Sequence, residues 1–91
     1  MNWTVIFKDP KRIEKAVLKL RPSTQVAFRK AILDLRAEGP YPMGWNVKPL
    51  KGEMGGLTRL CLDHRHRMIY SASQGALTIM VIEVSTREGA Y

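Results

Sequence analysis

Residues 57–84 read LTRLCLDHRHRMIYSASQGALTIMVIEV, and this stretch decides the fold. Three segments rich in β-branched, aromatic and aliphatic residues, 57–62, 67–72 and 77–84, are separated by the short polar sequences DHRH and SQGA. Segments of this kind joined by short turns are typical of β-strands in antiparallel hairpins. The last segment is almost continuously apolar, which predicts a central position in the sheet.

The residues before this stretch predict one more strand and a helix. Residues 2–7, NWTVIF, are β-branched and aromatic and are typical of a short strand. Asp9 and Pro10 then fit the cap and the first position of a helix. Apolar residues recur at spacings of three, four and seven, which predicts a helix from about residue 10 to residue 20.

A second helix follows almost at once. Arg21 and Pro22 interrupt the first helix, and Ser23 is placed to cap the second. Gly39 and Pro40 form the expected end of that helix. The two helices therefore make a helical hairpin.

Residues 39–56 contain five glycines and three prolines. This composition predicts a long loop, with at most one short extended piece around residues 45–50. The loop is longer than a simple connection requires in so small a protein, which favours a functional role for it.

Together these elements predict an α+β fold in the order β-α-α-β-β-β. The helical hairpin should pack on one face of a small, mainly antiparallel four-stranded sheet, all within a single domain of residues 1–91. Because two antiparallel helices return the chain to the end of the sheet that it left, the second strand should run antiparallel to the first. The face away from the helices is where we expect a functional site.

Composition narrows the class of protein. The chain has 15 Lys and Arg against 8 Asp and Glu, a net charge of +7, and 45% hydrophobic residues, which argues against a disordered basic tail. The longest uncharged apolar stretch, residues 75–82, is far short of the roughly 20 residues that span a bilayer, so no membrane association is expected. A single cysteine, Cys61, favours the reducing cytoplasm. The surplus of cations favours nucleic acid as the partner.

Several enzyme signatures are absent from the sequence. It has no glycine-rich phosphate loop, no His-Glu-x-x-His, no cysteine pair and no Gly-x-Ser-x-Gly. Its acidic residues are scattered singly, without the spacing of a metal cluster. We therefore expect neither metal-dependent hydrolysis nor a cofactor.

Arginines near the predicted strands form the main candidate site. Arg59 lies in the second strand, Arg67 opens the third and Arg87 follows the fourth. Residues that face each other across an antiparallel hairpin lie about 5 Å apart, so Arg59 and Arg67 should reach one phosphate-sized group. The alternative is that these arginines are ordinary solvated residues of an exposed sheet face.

Further candidates flank these strands, each with an ordinary structural alternative. Lys48 and Lys51 lie on the glycine-rich loop and would bind a backbone phosphate or supply an amine, or simply remain in water. His64 and His66 border the turn after the second strand and are candidates for proton transfer or polar surface residues. Trp45 is either a stacking platform or the anchor of the loop. Tyr91 is placed to stack on a base or to orient a 2'-hydroxyl, or is a frayed terminus.

The order of these elements and motifs resembles the RelE/ParE toxin superfamily of bacterial toxin-antitoxin systems. The resemblance covers nearly the whole chain, and its motifs are individually weak but fairly specific in this order. The residues that carry it are the strand at 3–7, the helical hairpin, Lys48-Pro49-Leu50-Lys51-Gly52, Arg59-Leu60-Cys61-Leu62, His66-Arg67-Met68-Ile69-Tyr70 and the segment 84–91.

The resemblance implies a RelE-like endoribonuclease that cleaves mRNA, commonly in the ribosomal A site, and is silenced by a cognate antitoxin. The reaction would need no metal, because the 2'-hydroxyl of the RNA itself attacks the adjacent phosphate. By position, Arg67 corresponds to the arginine that stabilises the phosphate, Arg87 to the arginine that assists the leaving group and Tyr91 to the tyrosine that orients the substrate. Arg59 matches the first of two basic positions on the second strand.

The second of these positions is Cys61, where RelE has the lysine that is favoured as proton acceptor. The general base is therefore open, with Cys61, Lys51, His64 and His66 as candidates. Two other functions also remain open. The missing lysine favours a ParE-like toxin that binds DNA gyrase, and the third possibility is a non-catalytic module that binds RNA or the ribosome through its arginines.

Overall fold

The computed structural model describes residues 2–52 and 55–86. In this part of the chain two helices pack on a five-stranded mixed sheet, which confirms the predicted α+β class. No helix among these residues is long and apolar enough to cross a membrane. The elements in chain order are β1 (Thr4–Phe7), α1 (Pro10–Leu18), α2 (Pro22–Glu38), β2 (Val47–Pro49), β3 (Leu57–Cys61), β4 (His66–Ser73) and β5 (Thr78–Thr86).

The helix boundaries follow the proline and glycine signals. The Asp9 carboxylate caps α1 by accepting a hydrogen bond from the backbone N–H of Arg12 at 3.3 Å. The prediction that Ser23 caps α2 is wrong, because the helix begins one residue earlier at Pro22 and no side chain caps it.

Gly39 ends α2 as predicted, and two constraints require a glycine there. Its φ is +91°, in the left-handed region that other residues rarely adopt. A Cβ atom at this position would lie 2.8 Å from Nε1 of Trp3, so the close approach of the indole also excludes a side chain. This contact ties the end of α2 to the residue that precedes β1.

The strands are ordered β1-β5-β4-β3-β2. Three of the four pairings are antiparallel, as predicted, but β1 pairs with β5 in parallel, with Thr4 beside Thr78 and Phe7 beside Val81. The prediction that β5 lies inside the sheet is confirmed, because β5 runs between β1 and β4. A register shift between Ile69 and Tyr70 marks a bulge in the β4–β5 pairing.

Two predictions about the sheet are wrong. The sheet has five strands and not four, because the extended piece in the loop forms β2 and pairs with β3. The strand at Leu57–Cys61 runs in the same direction as β1, since two antiparallel pairings and one parallel pairing separate them. The helical hairpin does return the chain to form an antiparallel strand, but that strand is β2 at the far edge.

The core lies between the helices and one face of the sheet. Its buried residues come from both layers, and Trp3, Phe7, Trp45 and Val47 pack against its margin. The hydroxyl of Tyr70, buried in the core, donates a hydrogen bond to the carbonyl of Pro40. The buried members of the core are Val5, Ile13, Leu20, Phe28, Ala31, Ile32, Leu35, Leu60, Leu62, Met68, Tyr70, Ile79, Val81 and Val84.

Candidate active site

The face of the sheet that points away from the helices carries the predicted arginines. Leu60, Met68 and Val84 form a row across β3, β4 and β5 and are buried in the core. Because successive residues of a strand point to opposite faces, the rows on either side of this one face away from the helices. We call this surface the helix-free face, and its members are Lys48, Arg59, Cys61, Arg67, Ile69, Glu83 and Ser85.

Arg67 occupies the middle of the helix-free face. It is the second residue of the central strand β4 and lies directly between Cys61 of β3 and Ser85 of β5. Its side chain is only 1% exposed, and Ile69 on the same strand is 2% exposed, so the centre of this face is not open to solvent. A guanidinium held in a sheet keeps its charge at any physiological pH and has little rotational freedom.

Arg59 and Lys48 form a second pair of cations on this face. Lys48 on the edge strand β2 lies directly across from Arg59, and Lys48 is exposed. Nη2 of Arg59 donates to the side-chain oxygen of Asn46 at 3.4 Å, and the Asn46 carbonyl accepts from the backbone N–H of Cys61 at 3.0 Å. Nε of Arg59 is buried and has no hydrogen-bond partner among residues 2–52 and 55–86.

The two arginines share a face but do not lie opposite each other. Arg59 is paired with Ile69 and Arg67 with Cys61, so the arginines are diagonal neighbours. Diagonal positions are separated by about 7–8 Å, which long arginine side chains can bridge toward one anion. The prediction that Arg59 and Arg67 face each other across the hairpin is wrong, because the register makes Cys61 the direct neighbour of Arg67.

The helix-free face also contains two polar residues that the sequence did not single out. Glu83 and Ser85 lie on β5, and the Ser85 hydroxyl donates to Oε2 of Glu83 at 2.9 Å. Glu83 stands across from Ile69 and diagonal to Arg67. The sequence of β5 is mostly apolar, which is typical of a central strand. Only the alternation of IEVS at 82–85 could have indicated that Glu83 and Ser85 share a polar face.

The structure separates both histidines from the arginines. His66 is the first residue of β4 and points to the side of Met68, toward the helices. Its Nδ1 lies 3.0 Å from Oδ1 of Asp63. His64 is exposed in the turn before it, and Asp63 and His64 line a pocket with Thr24 of α2.

Asp63 fastens this turn to the start of α2. Partial burial opposes its ionisation, but hydrogen bonds outweigh that effect and hold the pKa of Asp63 well below its usual range. The donors are the hydroxyl of Thr24, the backbone N–H groups of Arg65 and His66, and the imidazole of His66. The His66 ring is therefore engaged in holding the β3–β4 turn.

Trp45 is the anchor of the loop, which was one of its two predicted roles. Its Nε1 donates to Oδ2 of Asp34 on α2 at 2.8 Å, and Nζ of Lys30 lies 5.5 Å from the centre of its ring. Lys30 also bonds Asp34 at 2.8 Å, and these hydrogen bonds lower the pKa of Asp34. The indole packs against the margin of the core and is not available as a stacking platform on the helix-free face.

The remaining candidates are less closely placed. Lys51 is exposed in the loop after β2, two residues beyond the end of that strand. Arg87 and Tyr91 lie outside the described residues, so their proposed roles rest on the sequence resemblance alone. What the described residues bring together is three cations, a thiol and one carboxylate, an arrangement suited to holding an anion such as a phosphate diester.

Comparisons with known proteins yield structural matches only. Neither a known protein-family model nor a curated protein matches the sequence. Among solved structures, the archaeal RelE-RelB complex from Pyrococcus horikoshii contains a similar chain, with a TM-score of 0.78 and 25% identity over 99% of this chain and 100% of that one.

Two further matches have the same architecture. The toxin-antitoxin complex RelBE2 from Mycobacterium tuberculosis gives a TM-score of 0.73 and 24% identity over 96% of this chain and 100% of that one. The YoeB/ParE toxin from Agrobacterium tumefaciens gives a TM-score of 0.74 and 17% identity over 92% of this chain and 98% of that one. With near-complete coverage in each case, all three structures share the fold of this chain, and the 25% identity with the RelE-RelB chain supports a place in the RelE-like toxin superfamily.

Proposed function

We propose that this chain is the toxin of a toxin-antitoxin pair and an endoribonuclease that cleaves mRNA in the ribosomal A site. Cleavage stops translation, and a cognate antitoxin silences the toxin in the cytoplasm. The observation that carries the proposal is the buried Nε donor of Arg59, which has no acceptor among the described residues and lies on the same face as Arg67 and Lys48. A buried donor without an acceptor is costly, and a phosphate oxygen would satisfy it.

The reaction requires no metal in this proposal. The 2'-oxygen of the RNA attacks the adjacent phosphorus, its proton passes to a base, and the bond from phosphorus to the 5'-oxygen breaks. The products are a 2',3'-cyclic phosphate and a 5'-hydroxyl, whose oxygen takes up a proton. Negative charge grows on the phosphate during this exchange, and the partly exposed Arg59 together with the positive charge of the buried Arg67 would stabilise it from fixed positions on the sheet.

The geometry favours some candidate bases over others. Lys48 and Cys61 lie on the helix-free face, whereas His66 points toward the helices and is bonded to Asp63. We therefore keep Cys61 and Lys48 as the groups nearest to the arginines, with Lys51 next along the loop. Arg87 and Tyr91 retain the roles that the resemblance gives them, as the group that assists the leaving oxygen and the group that orients the substrate.

Expression of the protein alone tests the function. We expect growth arrest, rapid loss of protein synthesis and new 5' ends within mRNA coding regions, mapped by primer extension after brief induction. Arg67→Ala should relieve the arrest, because removal of a charge that stabilises the transition state typically lowers the rate by about 100- to 1,000-fold. Lys11→Ala, an exposed change on α1, is the matched control and should remain toxic.

Two other outcomes would identify the alternative functions. Intact transcripts together with induction of the DNA damage response would indicate a ParE-like gyrase toxin. The absence of a lysine at position 61 favours this alternative. Salt-dependent binding of RNA without cleavage products would indicate a non-catalytic RNA- or ribosome-binding module. Either result would contradict the ribonuclease assignment.

A further inference from the structure

A second basic surface lies beside the helix-free face. A cleft of about 470 Å³ separates α1 from the end of the sheet where β4 begins and β5 ends. Arg12, Lys15 and Lys19 line it from the helix, and His66 and Thr86 line it from the sheet. We call it the α1 cleft.

The cations of the α1 cleft form one row. Their spacings of three and four residues place them on the same side of the helix, one turn apart. None of the described residues that line the cleft is acidic. Like charges at these spacings repel one another, so the row is stabilised when an anion with several charges lies along it.

The position of Arg12 argues that this row is more than an ordinary charged helix surface. Lys15 and Lys19 lie at the carboxyl end of α1, where the helix dipole stabilises cations. Arg12 lies in the first turn, where the dipole opposes a positive charge, and α1 has no acidic residue in that turn. The helix dipole therefore explains the two lysines but not Arg12, whose acidic neighbours are the capping residue Asp9 and Glu83, which lines a smaller pocket with it.

The α1 cleft continues directly into the helix-free face. Ser85 lines the cleft and is the direct neighbour of Arg67 across the β4–β5 pairing. His66 and Arg67 are consecutive on β4 and point to opposite faces, so the end of the sheet separates the two surfaces by one residue. A chain of phosphates that lies on the helix-free face can pass over this end and enter the cleft.

We propose that the α1 cleft binds the phosphate backbone of RNA next to the phosphate held on the helix-free face. The inference rests on the proposed ribonuclease function. Arg12, Lys15 and Lys19 contact successive phosphates, and the Thr86 hydroxyl supplies a neutral donor beside them. The recognised chemistry is the RNA backbone, which either the mRNA strand or ribosomal RNA presents.

A pair of triple variants tests the proposal. The cleft variant carries Arg12→Ala, Lys15→Ala and Lys19→Ala, and the control carries Lys11→Ala, Arg29→Ala and Arg36→Ala, which removes the same charge from exposed positions that do not line the cleft. The probe is a single-stranded RNA of about 12 nucleotides with 2'-O-methyl groups, which lacks the attacking hydroxyl and stays intact during titration. Thermal unfolding of both variants establishes that they fold.

Binding is measured over a range of salt concentrations. For the cleft variant, we expect the slope of log K against log salt to fall by about 2, from three lost phosphate contacts at about 0.7 each. Its affinity near 0.1 M salt should fall at least about 10-fold, while the control changes less than about 2-fold. Equal losses in both variants would overturn the proposal, because net charge alone would then explain binding.

Co-sedimentation with ribosomes distinguishes the two sources of RNA. Loss of binding to the oligomer supports the mRNA strand as occupant, and loss of co-sedimentation with ribosomes but not of oligomer binding supports ribosomal RNA. A third outcome would make the RNA assignment wrong. If the cleft variant binds the oligomer and the ribosome with the affinity of the unaltered protein but loses binding to poly-glutamate, the occupant is an acidic polypeptide. If the unaltered protein cleaves no mRNA yet shows the difference in slope, the ribonuclease function fails while the cleft remains an RNA-binding site.

Discussion

Cys61 and Arg67 lie directly across from each other on adjacent strands, with both side chains on the face that points away from the helices. Cys61 is half-buried, and Arg67 is almost fully buried. The position at which the resemblance implies a basic proton acceptor is thus a direct cross-strand neighbour of Arg67. The identity of the side chain at position 61 should therefore affect the chemistry of this face more than it affects folding.

Cys61→Lys should increase RNA cleavage by about 10- to 100-fold, since a positioned general base typically contributes a factor of this order or more. The nearby guanidinium would lower the pKa of the introduced ammonium, so that part of it is a neutral amine near neutral pH. The measurement is the initial rate of cleavage of a defined mRNA. Cys61→Ser is the comparison variant: an unchanged rate would leave the role of base to another group, whereas a large loss would make the thiol itself the base.

Glu83→Gln should tighten the binding of an uncleavable RNA by about 2- to 3-fold, because a carboxylate diagonal to Arg67 repels a phosphate held there across a solvent-screened distance. A fluorescence titration at low salt measures the effect. Ser85→Ala removes the hydroxyl that bonds Glu83 but retains its charge, and should leave the affinity nearly unchanged. A fall of 100-fold or so in cleavage by Glu83→Gln would contradict this role and identify Glu83 as a proton acceptor.

The three strands of the region 57–86 and the two helices could be predicted from the sequence because local patterns determine them. Asp9, Pro10 and Gly39 set helix ends through their own backbone preferences, and alternation indicated that Arg59 shares a face with Cys61. An extended piece around residues 45–50 was predicted, but the edge strand Val47–Pro49 is three residues long and contains a proline, so its pairing with β3 had no local signal. The parallel pairing of β1 with β5 joins distant segments and has no local signal.

The candidate site was predictable to a similar extent. The arginines were evident from residue type, but their diagonal register depends on the length of the turn after Cys61. Contacts with another element decide the roles of Trp45 and His66. Asp34 of α2 holds the indole, and Asp63, itself bonded to Thr24 of α2, holds the imidazole.

Trp45→Phe should lower the free energy of unfolding by about 1 kcal/mol, because the ring is kept while the hydrogen bond from Nε1 to Asp34 is lost. Trp45→Ala should cost about 2–3 kcal/mol, since it also removes a partly buried indole. Urea denaturation measures both. Tyr41→Ala, at an exposed position of the same loop, is expected to change stability little; a cost equal to that of Trp45→Ala would show that Trp45 has no special role as anchor.

Asp63→Asn should lower the free energy of unfolding by about 1–2 kcal/mol near neutral pH, after allowance for partial exposure, because the charged carboxylate accepts several hydrogen bonds. The pKa of Asp63 is lowered in the folded protein, so this stabilisation is present above the unfolded value of about 4 and is lost as the pH falls below it. Denaturation curves should therefore show different free energies of unfolding for the two proteins at neutral pH and similar ones at acidic pH.

Asp9→Asn is the control for the acid dependence, because asparagine also caps a helix and the change removes only a charge at an exposed position. Its stability should follow that of the unaltered protein throughout the acid range. If the stability of Asp63→Asn also followed that of the unaltered protein throughout the acid range, the Asp63 carboxylate would make no pH-dependent contribution.

The parallel pairing of Thr4–Phe7 with Thr78–Thr86 also sets an order for biosynthesis. The first strand has no sheet partner until a segment more than seventy residues later has been translated, so the sheet is completed late and through contacts of high sequence separation. Arg67 reaches its place between Cys61 and Ser85 only when that last strand docks. A nascent chain that still lacks β5 has no assembled arginine surface, and so Cys61, Arg67 and Ser85 come together in one row only after β5 has been translated.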